Sequence, residues 1–180
     1  MTLLLPDLLR TERLTLRAPC RADAAFLFDA YTQDSAVARY MTWRPHVALA
    51  ETEAFIAYCM QAWASGRGRP YMLVRDADAN VPIGILEARV SGHTIDLGYA
   101  LQRRYWGAGL MPEAVNAFSR VALALPGYFR LQATCDGENL ASARTLEKAG
   151  FLLEGTLARH TVLPNLGAEP RPSRMYARCR

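Results

Sequence analysis

The run from Thr94 to Leu125 changes its hydrophobic period halfway along. Ile95, Leu97, Tyr99 and Leu101 alternate with Thr94, Asp96, Gly98 and Ala100, the two-residue repeat of a half-buried strand. Val115, Phe118, Val121 or Ala122, and Leu125 then recur at helical spacing, from a start at Pro112, a residue favoured in a first turn. Pro126-Gly127 ends that helix, and FRLQATCD resumes strict alternation through Phe129, Leu131, Ala133 and Cys135. Strand, helix and strand in succession make a β-α-β unit, so the sheet must contain a parallel pair.

The preceding segments read as an antiparallel meander. YMLVRD and VPIGILEARV flank the turn Asp76-Ala77-Asp78-Ala79-Asn80, and Ser91-Gly92-His93 leads into TIDLGYAL. Leu14 and Leu16, alternating with Arg13, Thr15 and Arg17, form an earlier strand. Asp23 opens a helix with Phe26, Leu27, Ala30 and Tyr31 on one face. A second helix runs from about Glu51 to Ala64 with Phe55, Tyr58 and Cys59 or Ala62 inward. Asn139 is a good N-cap for a short helix, Leu140 to Lys148, which Gly150 ends. Together these predict one α+β domain over residues 1–180, its mixed, mostly antiparallel sheet flanked by helices.

Composition narrows the function classes. A chain of 180 residues that is 51% hydrophobic can bury a single core. No apolar run approaches the roughly 20 residues that span a bilayer. The opening MTLLLPDLLRTER lacks a basic n-region and a small-residue cleavage site, and reads as mature protein. Cys20, Cys59, Cys135 and Cys179 are far apart, with no histidine at metal-ligand spacing, which predicts a metal-free cytoplasmic protein. The net charge of +4 rests on scattered arginines, Lys148 being the only lysine. That pattern suits an anionic small ligand or acidic partner rather than nucleic acid. An exposed strand edge in the meander would allow a homodimer.

Between the strand and the helix lies RRYWGAGLMPEA, Arg103 to Ala114. Glycines at 107 and 109 let backbone N–H groups converge, and the helix adds unpaired N–H groups and its positive dipole end. Such a turn can hold a phosphate or pyrophosphate. The spacing alone is weak, because strand-to-helix turns often contain glycine. No G-x-x-x-x-G-K-[ST] is present, and the third glycine and downstream acid of a dinucleotide fingerprint are missing. Gly98, inside the preceding strand, marks a bulge or a close approach of backbone to ligand.

Arg104 to Gly109 matches [QR]-x-x-G-x-[GA], and Asn139 to Phe151 matches N-x-x-[AS]-x-x-x-[YL]-x-K-x-G-F. With LRTERLTLR, Asp23-Ala24, YMTWRPH and ARHTVLPNLGAEPR, the chain resembles the GCN5-related N-acetyltransferase (GNAT) superfamily along nearly its whole length. The branch it looks like includes the ribosomal-protein alanine and serine N-acetyltransferases. The resemblance implies direct transfer of an acetyl group from acetyl-CoA to a primary amine, without a metal, on a sheet splayed at the cofactor.

By position, the backbone of Arg104, Tyr105, Trp106, Gly107, Ala108, Gly109 and Leu110 would hold the CoA pyrophosphate. Tyr99, Ala100 and Leu101 would pair with pantetheine, an N–H near Tyr99 or Ala100 facing the oxyanion. Asn139 and Ser142 would contact pantetheine and the thiol end. Many relatives use a tyrosine acid where this chain has Leu146. In the branch it resembles a serine can take that role, which makes Ser142 the candidate acid, its alternative being a small residue beside the cofactor. Glu87 and Asp96, on adjacent strands, are candidate bases or solvated strand residues, and Glu87 interrupts the apolar Ile83–Leu86 run.

Arg144 and Lys148 suit the 3′-phosphate or a solvated helix face. Trp43, Arg44 and His46 suit an acceptor pocket, with a core role for Trp43 and a structural one for His46 as alternatives. Arg159-His160-Thr161 would close the pocket, His160 serving as a possible proton shuttle. The acceptor is a protein N-terminal α-amine or a small amine such as a polyamine, amino sugar or antibiotic. A non-catalytic acyl-CoA-binding module is the remaining class, left open by Leu146.

Overall fold

The computed structural model describes residues 5–77 and 81–180. Strands β1 (Leu8–Arg10), β2 (Leu14–Arg17), β3 (Gly68–Arg75), β4 (Pro82–Ser91), β5 (Thr94–Leu101), β6 (Arg130–Asp136), β7 (Leu152–Val162) and β8 (Pro170–Cys179) share one sheet. Their order is β1-β2-β3-β4-β5-β6-β8-β7. Neighbours are antiparallel except β5 and β6, the pair joined by the crossover helix.

Alternation along the strands feeds two cores. Tyr71, Leu73, Leu86, Ile95, Leu97 and Leu101 face helices α4 (Leu110–Ala124) and α5 (Leu140–Lys148). Met72, Ile85 and Ala100 face the other way, against α1 (Asp23–Leu27), α2 (Ser35–Ala38) and α3 (Leu49–Ser65). Phe118 of α4 is fully buried, its ring 5.7 Å from that of Tyr71. Truncating such a ring costs about 3–5 kcal/mol. Gly84 permits the close β4–β5 approach, because a Cβ there would lie 2.4 Å from the Ala100 carbonyl oxygen.

Several expectations need correction. Phe26 is exposed, because a π turn (Phe28–Thr32) follows α1 and the buried stripe runs through Ala24, Leu27 and Tyr31. Tyr58 is also exposed: α3 buries Thr52, Ile56 and Cys59, a phase set by a threonine that an apolar pattern does not count. Val121 is exposed and Ala122 buried. Helix α4 starts at Leu110, two residues before Pro112, because Gly109 in a left-handed conformation serves as its N-cap. Phe129 precedes β6 and lies outside the core, beside Arg180 and His93. The meander has no free edge, since β2 pairs with β3 and β6 with β5. The sheet edges are β1 and β7. Asp78, Ala79 and Asn80 of the expected turn, and residues 1–4 of the amino-terminal stretch, lie outside the described residues.

Candidate active site

The parallel pair is short. Thr94, Ile95 and Asp96 pair with Arg130, Leu131 and Gln132, and there the ladder stops. Strand β5 continues to Leu101 held by β4, and β6 continues to Asp136 held by β8. The sheet therefore splays, with Tyr99 to Leu101 along one wall and Ala133 to Asp136 along the other. Backbone groups facing the gap have no strand partner, and an extended chain can complete them as an added strand. Trp106 Nε1 donates to the Leu101 carbonyl at 2.8 Å and closes the upper end.

Beyond that wall comes a single 3-10 turn, Arg103–Tyr105, then Gly107 and Gly109, each at φ +76°. These positive angles fold the backbone into a concave turn that L-residues with a Cβ adopt poorly. The first amide at the start of α4 with a carbonyl partner is that of Glu113, which donates to Gly109 at 3.2 Å. Among the described residues, the amides of Gly107, Ala108, Gly109, Leu110 and Met111 have no acceptor within the chain. Five free N–H groups at a helix N-terminus can hold an anion such as a phosphate or diphosphate.

The turn is clamped from below. Arg13 Nη1 donates to the Ala108 carbonyl at 3.0 Å, and its guanidinium pairs with Glu113 of α4 at 2.6 Å. Thr11 Oγ1 donates to the same carboxylate at 2.5 Å. Burial pushes the Glu113 carboxyl up, but these bonds outweigh it and hold it below its usual range. Arg75 and Arg104 both place their guanidinium groups on the Tyr105 ring, adding positive charge beside the turn. No sequence signal marks Arg13 and Glu113 as partners, since they stand 100 residues apart.

Across the gap, Asn139 caps α5 as expected, its side chain accepting from the Ser142 amide at 3.1 Å. Ser142 Oγ lies 2.8 Å from the Tyr99 hydroxyl, a phenol that the sequence reading passed over. Leu146 is fully buried in the core beneath α5. Arg144 and Lys148 are exposed on that helix.

The opposite face of the same strands carries the charged groups. Glu87 stands across from Gly98, and Arg89 across from Asp96. Arg89 joins both carboxylates, with Nη1 2.8 Å from Glu87 and Nη2 on Asp96. Gln132 adds a longer contact to Asp96 at 3.4 Å, at the apex of the splay. A Cβ on Gly98 would lie 3.0 Å from Arg89 Nη1, so the missing side chain makes room for this guanidinium. Both candidate bases thus meet in one cluster, organised by an arginine that the sequence reading missed. Arg89 is two residues from Glu87 on one strand, a spacing that puts both on one face.

The 39–48 segment lies on this side. Trp43 packs against the core containing Ala100, and its ring centroid is 5.5 Å from that of His46. His46 is a structural residue: Nδ1 bonds Thr52 Oγ1 at 2.7 Å, and its amide donates to the Thr32 carbonyl. Burial, opposed by Glu51, holds its pKa below the usual value. Arg44 is exposed. Asn165 ties the β7–β8 connection to this segment, donating to the Ala38 and Trp43 carbonyls at 2.6 and 2.7 Å. Arg159 takes φ +46° at an irregularity of edge strand β7. His160 is exposed there and bonds its neighbour Thr161 at 2.8 Å, with no described contact to Glu87, Asp96 or Ser142. Among the described residues, no group of three or more His, Cys, Asp or Glu is placed to hold a metal.

A splayed parallel pair beside a turn of free amides defines a protein that can take an extended ligand with an anionic, phosphate-like end. A family model described as an acetyltransferase (GNAT) domain matches residues 13–152, and the chain belongs to that family. It is similar to the uncharacterized N-acetyltransferase p20 of Bacillus licheniformis, 28% identical over 153 residues, covering 84% of this chain and 85% of that protein. Among solved structures it resembles the microcin C7 self-immunity acetyltransferase MccE in complex with acetyl-CoA and AMP. That match has a TM-score of 0.85 at 20% identity and covers 94% of each chain. It also resembles RimL, a ribosomal-protein alpha-N-acetyltransferase, with a TM-score of 0.83 at 20% identity over 98% of this chain and 93% of that one. The chain is an N-acetyltransferase that uses acetyl-CoA.

Proposed function

We propose that this enzyme acetylates the α-amine of a protein N-terminus, with Glu87 as base and Ser142 as the donor that assists the leaving thiol. The observation carrying this reading is the Glu87–Arg89–Asp96 cluster at the apex of the splay. Two carboxylates and one guanidinium leave a single negative charge, suited to one ammonium group. A polyamine or aminoglycoside brings several, and Arg89 repels the surplus. The RimL likeness over nearly the whole chain supports the same acceptor class.

Acetyl-CoA supplies the acetyl thioester; the chain supplies position and polarity. Free amides of Gly107 to Met111 bind the diphosphate, and the gap-facing edge of Tyr99 and Ala100 aligns the pantetheine arm. Glu87, less exposed than Asp96 and opposite Gly98, takes the amine's proton directly or through water. Asp96 and Arg89 hold it in place. The reaction so described belongs in the cytoplasm, where acetyl-CoA is available.

The test measures CoA release with a thiol reagent. Acceptors are peptides beginning with Ser or Ala, spermidine and kanamycin. Release driven by the peptides is expected. Release driven only by spermidine or kanamycin would move the acceptor to small molecules. Tight acetyl-CoA binding with no release from any acceptor would make the chain a binding module.

A further inference from the structure

Ser142 stands in a chain of hydrogen bonds. The Tyr99 hydroxyl lies 2.8 Å from Ser142 Oγ and 3.3 Å from the Ser142 carbonyl oxygen, reaching from β5 to the first turn of α5. Asn139 fixes the Ser142 amide from the other side. Leu146 is buried and carries no polar group toward the gap. The phenol nearest Ser142 therefore comes from the strand, not from helix α5. This argument rests on the role proposed above for Ser142.

We infer that Tyr99 is a positioning residue for the transfer, its phenol donating to Ser142 Oγ so that the Ser142 hydrogen faces the departing sulfur. A serine hydroxyl is too weak an acid to surrender its proton to a thiolate, so its contribution is a polarised hydrogen bond. When the carbon–sulfur bond breaks, the electron pair passes to sulfur. The proton lost by the amine goes to Glu87, and the thiolate is held by the Tyr99–Ser142 chain until it takes a proton from solvent. Each bond in such a chain strengthens the next. Burial, against the opposing effect of the Ser142 bond, raises the Tyr99 pKa, so the phenol keeps the hydrogen it donates throughout neutral pH.

Bound CoA gives a readout that needs no acceptor. Thiolate absorbance is titrated with pH in the CoA complex and in the desulfo-CoA complex, whose difference cancels the protein's own cysteines. The wild type is expected to lower the CoA thiol pKa below its value in solution. Tyr99→Phe should raise it again by about half a unit to one unit, a threefold to tenfold change in ionisation. With an active acceptor, kcat should fall about tenfold while acetyl-CoA affinity stays within about twofold. Ser142→Ala removes the same chain from its other end, so Tyr99→Phe in that background should add nothing. A thiol pKa and kcat unchanged by Tyr99→Phe, or effects that add in the double variant, would overturn the inference. If CoA fails to bind the wild type, the cofactor reading falls first and this inference with it.

Discussion

On the proposed reading, the two faces of strands β4 and β5 would recognise their ligands by different means. Toward α4 and α5 the donor side uses backbone: free amides of Gly107 to Met111, and the unpaired edge of β5. Toward α1 and α3 the proposed acceptor side would use side chains, Glu87 and Arg89 of β4 and Asp96 of β5, with Trp43 nearby. Backbone recognition demands a conformation, so it leaves a short motif of glycines and a helix start. Side-chain recognition demands only that residues converge, and convergence leaves no motif. One face therefore names its ligand class, and the other leaves the acceptor to experiment.

Substitutions can break this contrast one side at a time. Gly107→Glu places a carboxylate among the free amides, in open space where no heavy atom lies within 4 Å of a new Cβ. Acetyl-CoA affinity by calorimetry should fall at least about 100-fold, near 3 kcal/mol. Gly92→Glu is the control: it also has positive φ and open space, in the β4–β5 hairpin, and should cost stability but not affinity.

Arg171→Ala tests the donor wall. Its guanidinium binds both oxygens of the buried Asp136 at the end of β6, at 2.7 and 3.2 Å. Removing it leaves that carboxylate with only the Glu138 amide, and chemical denaturation should show a lower midpoint than in the wild type. Arg89→Gln acts on the acceptor face alone. Acceptor KM should change about fivefold, near 1 kcal/mol, with acetyl-CoA affinity unaltered. A parallel change in acetyl-CoA affinity would mean that the faces are not separate.

The smallest effect is on acid stability. Burial raises the Asp136 pKa, but the Arg171 bonds and the Glu138 amide outweigh it, leaving the carboxyl below its usual range. The folded state therefore binds this proton less tightly than the unfolded chain. Its contribution is present at neutral pH and is lost as pH falls through the ordinary carboxylate range toward the lower folded value. Melting temperatures from pH 7 to pH 3 should fall less steeply in Asp136→Asn than in the wild type.

The sequence made the fold legible wherever period and punctuation agree. Alternation in TIDLGYAL and FRLQATCD, with a helical repeat between them, predicted the parallel pair and its crossover. Asn139 and Gly150 bounded α5 correctly. Failures came where a polar residue set the phase, as Thr52 does in α3, or where a π turn rotated Phe26 outward. The Arg13 clamp on Glu113 and the Asn165 tether are contacts between distant segments, which no local pattern encodes. From the sequence Tyr99 carries a backbone role, while its phenol gains a partner only where α5 docks beside β5.

Amide hydrogen exchange tests the central claim most directly, that backbone N–H groups after β5 hold the donor's diphosphate. Exchange is followed in the free protein and with saturating acetyl-CoA. Strong slowing centred on the amides of Gly107 to Met111 is predicted, with a second region at Tyr99 to Leu101. Acetyl-CoA that binds tightly while leaving exchange at Gly107 to Met111 unchanged would contradict the account.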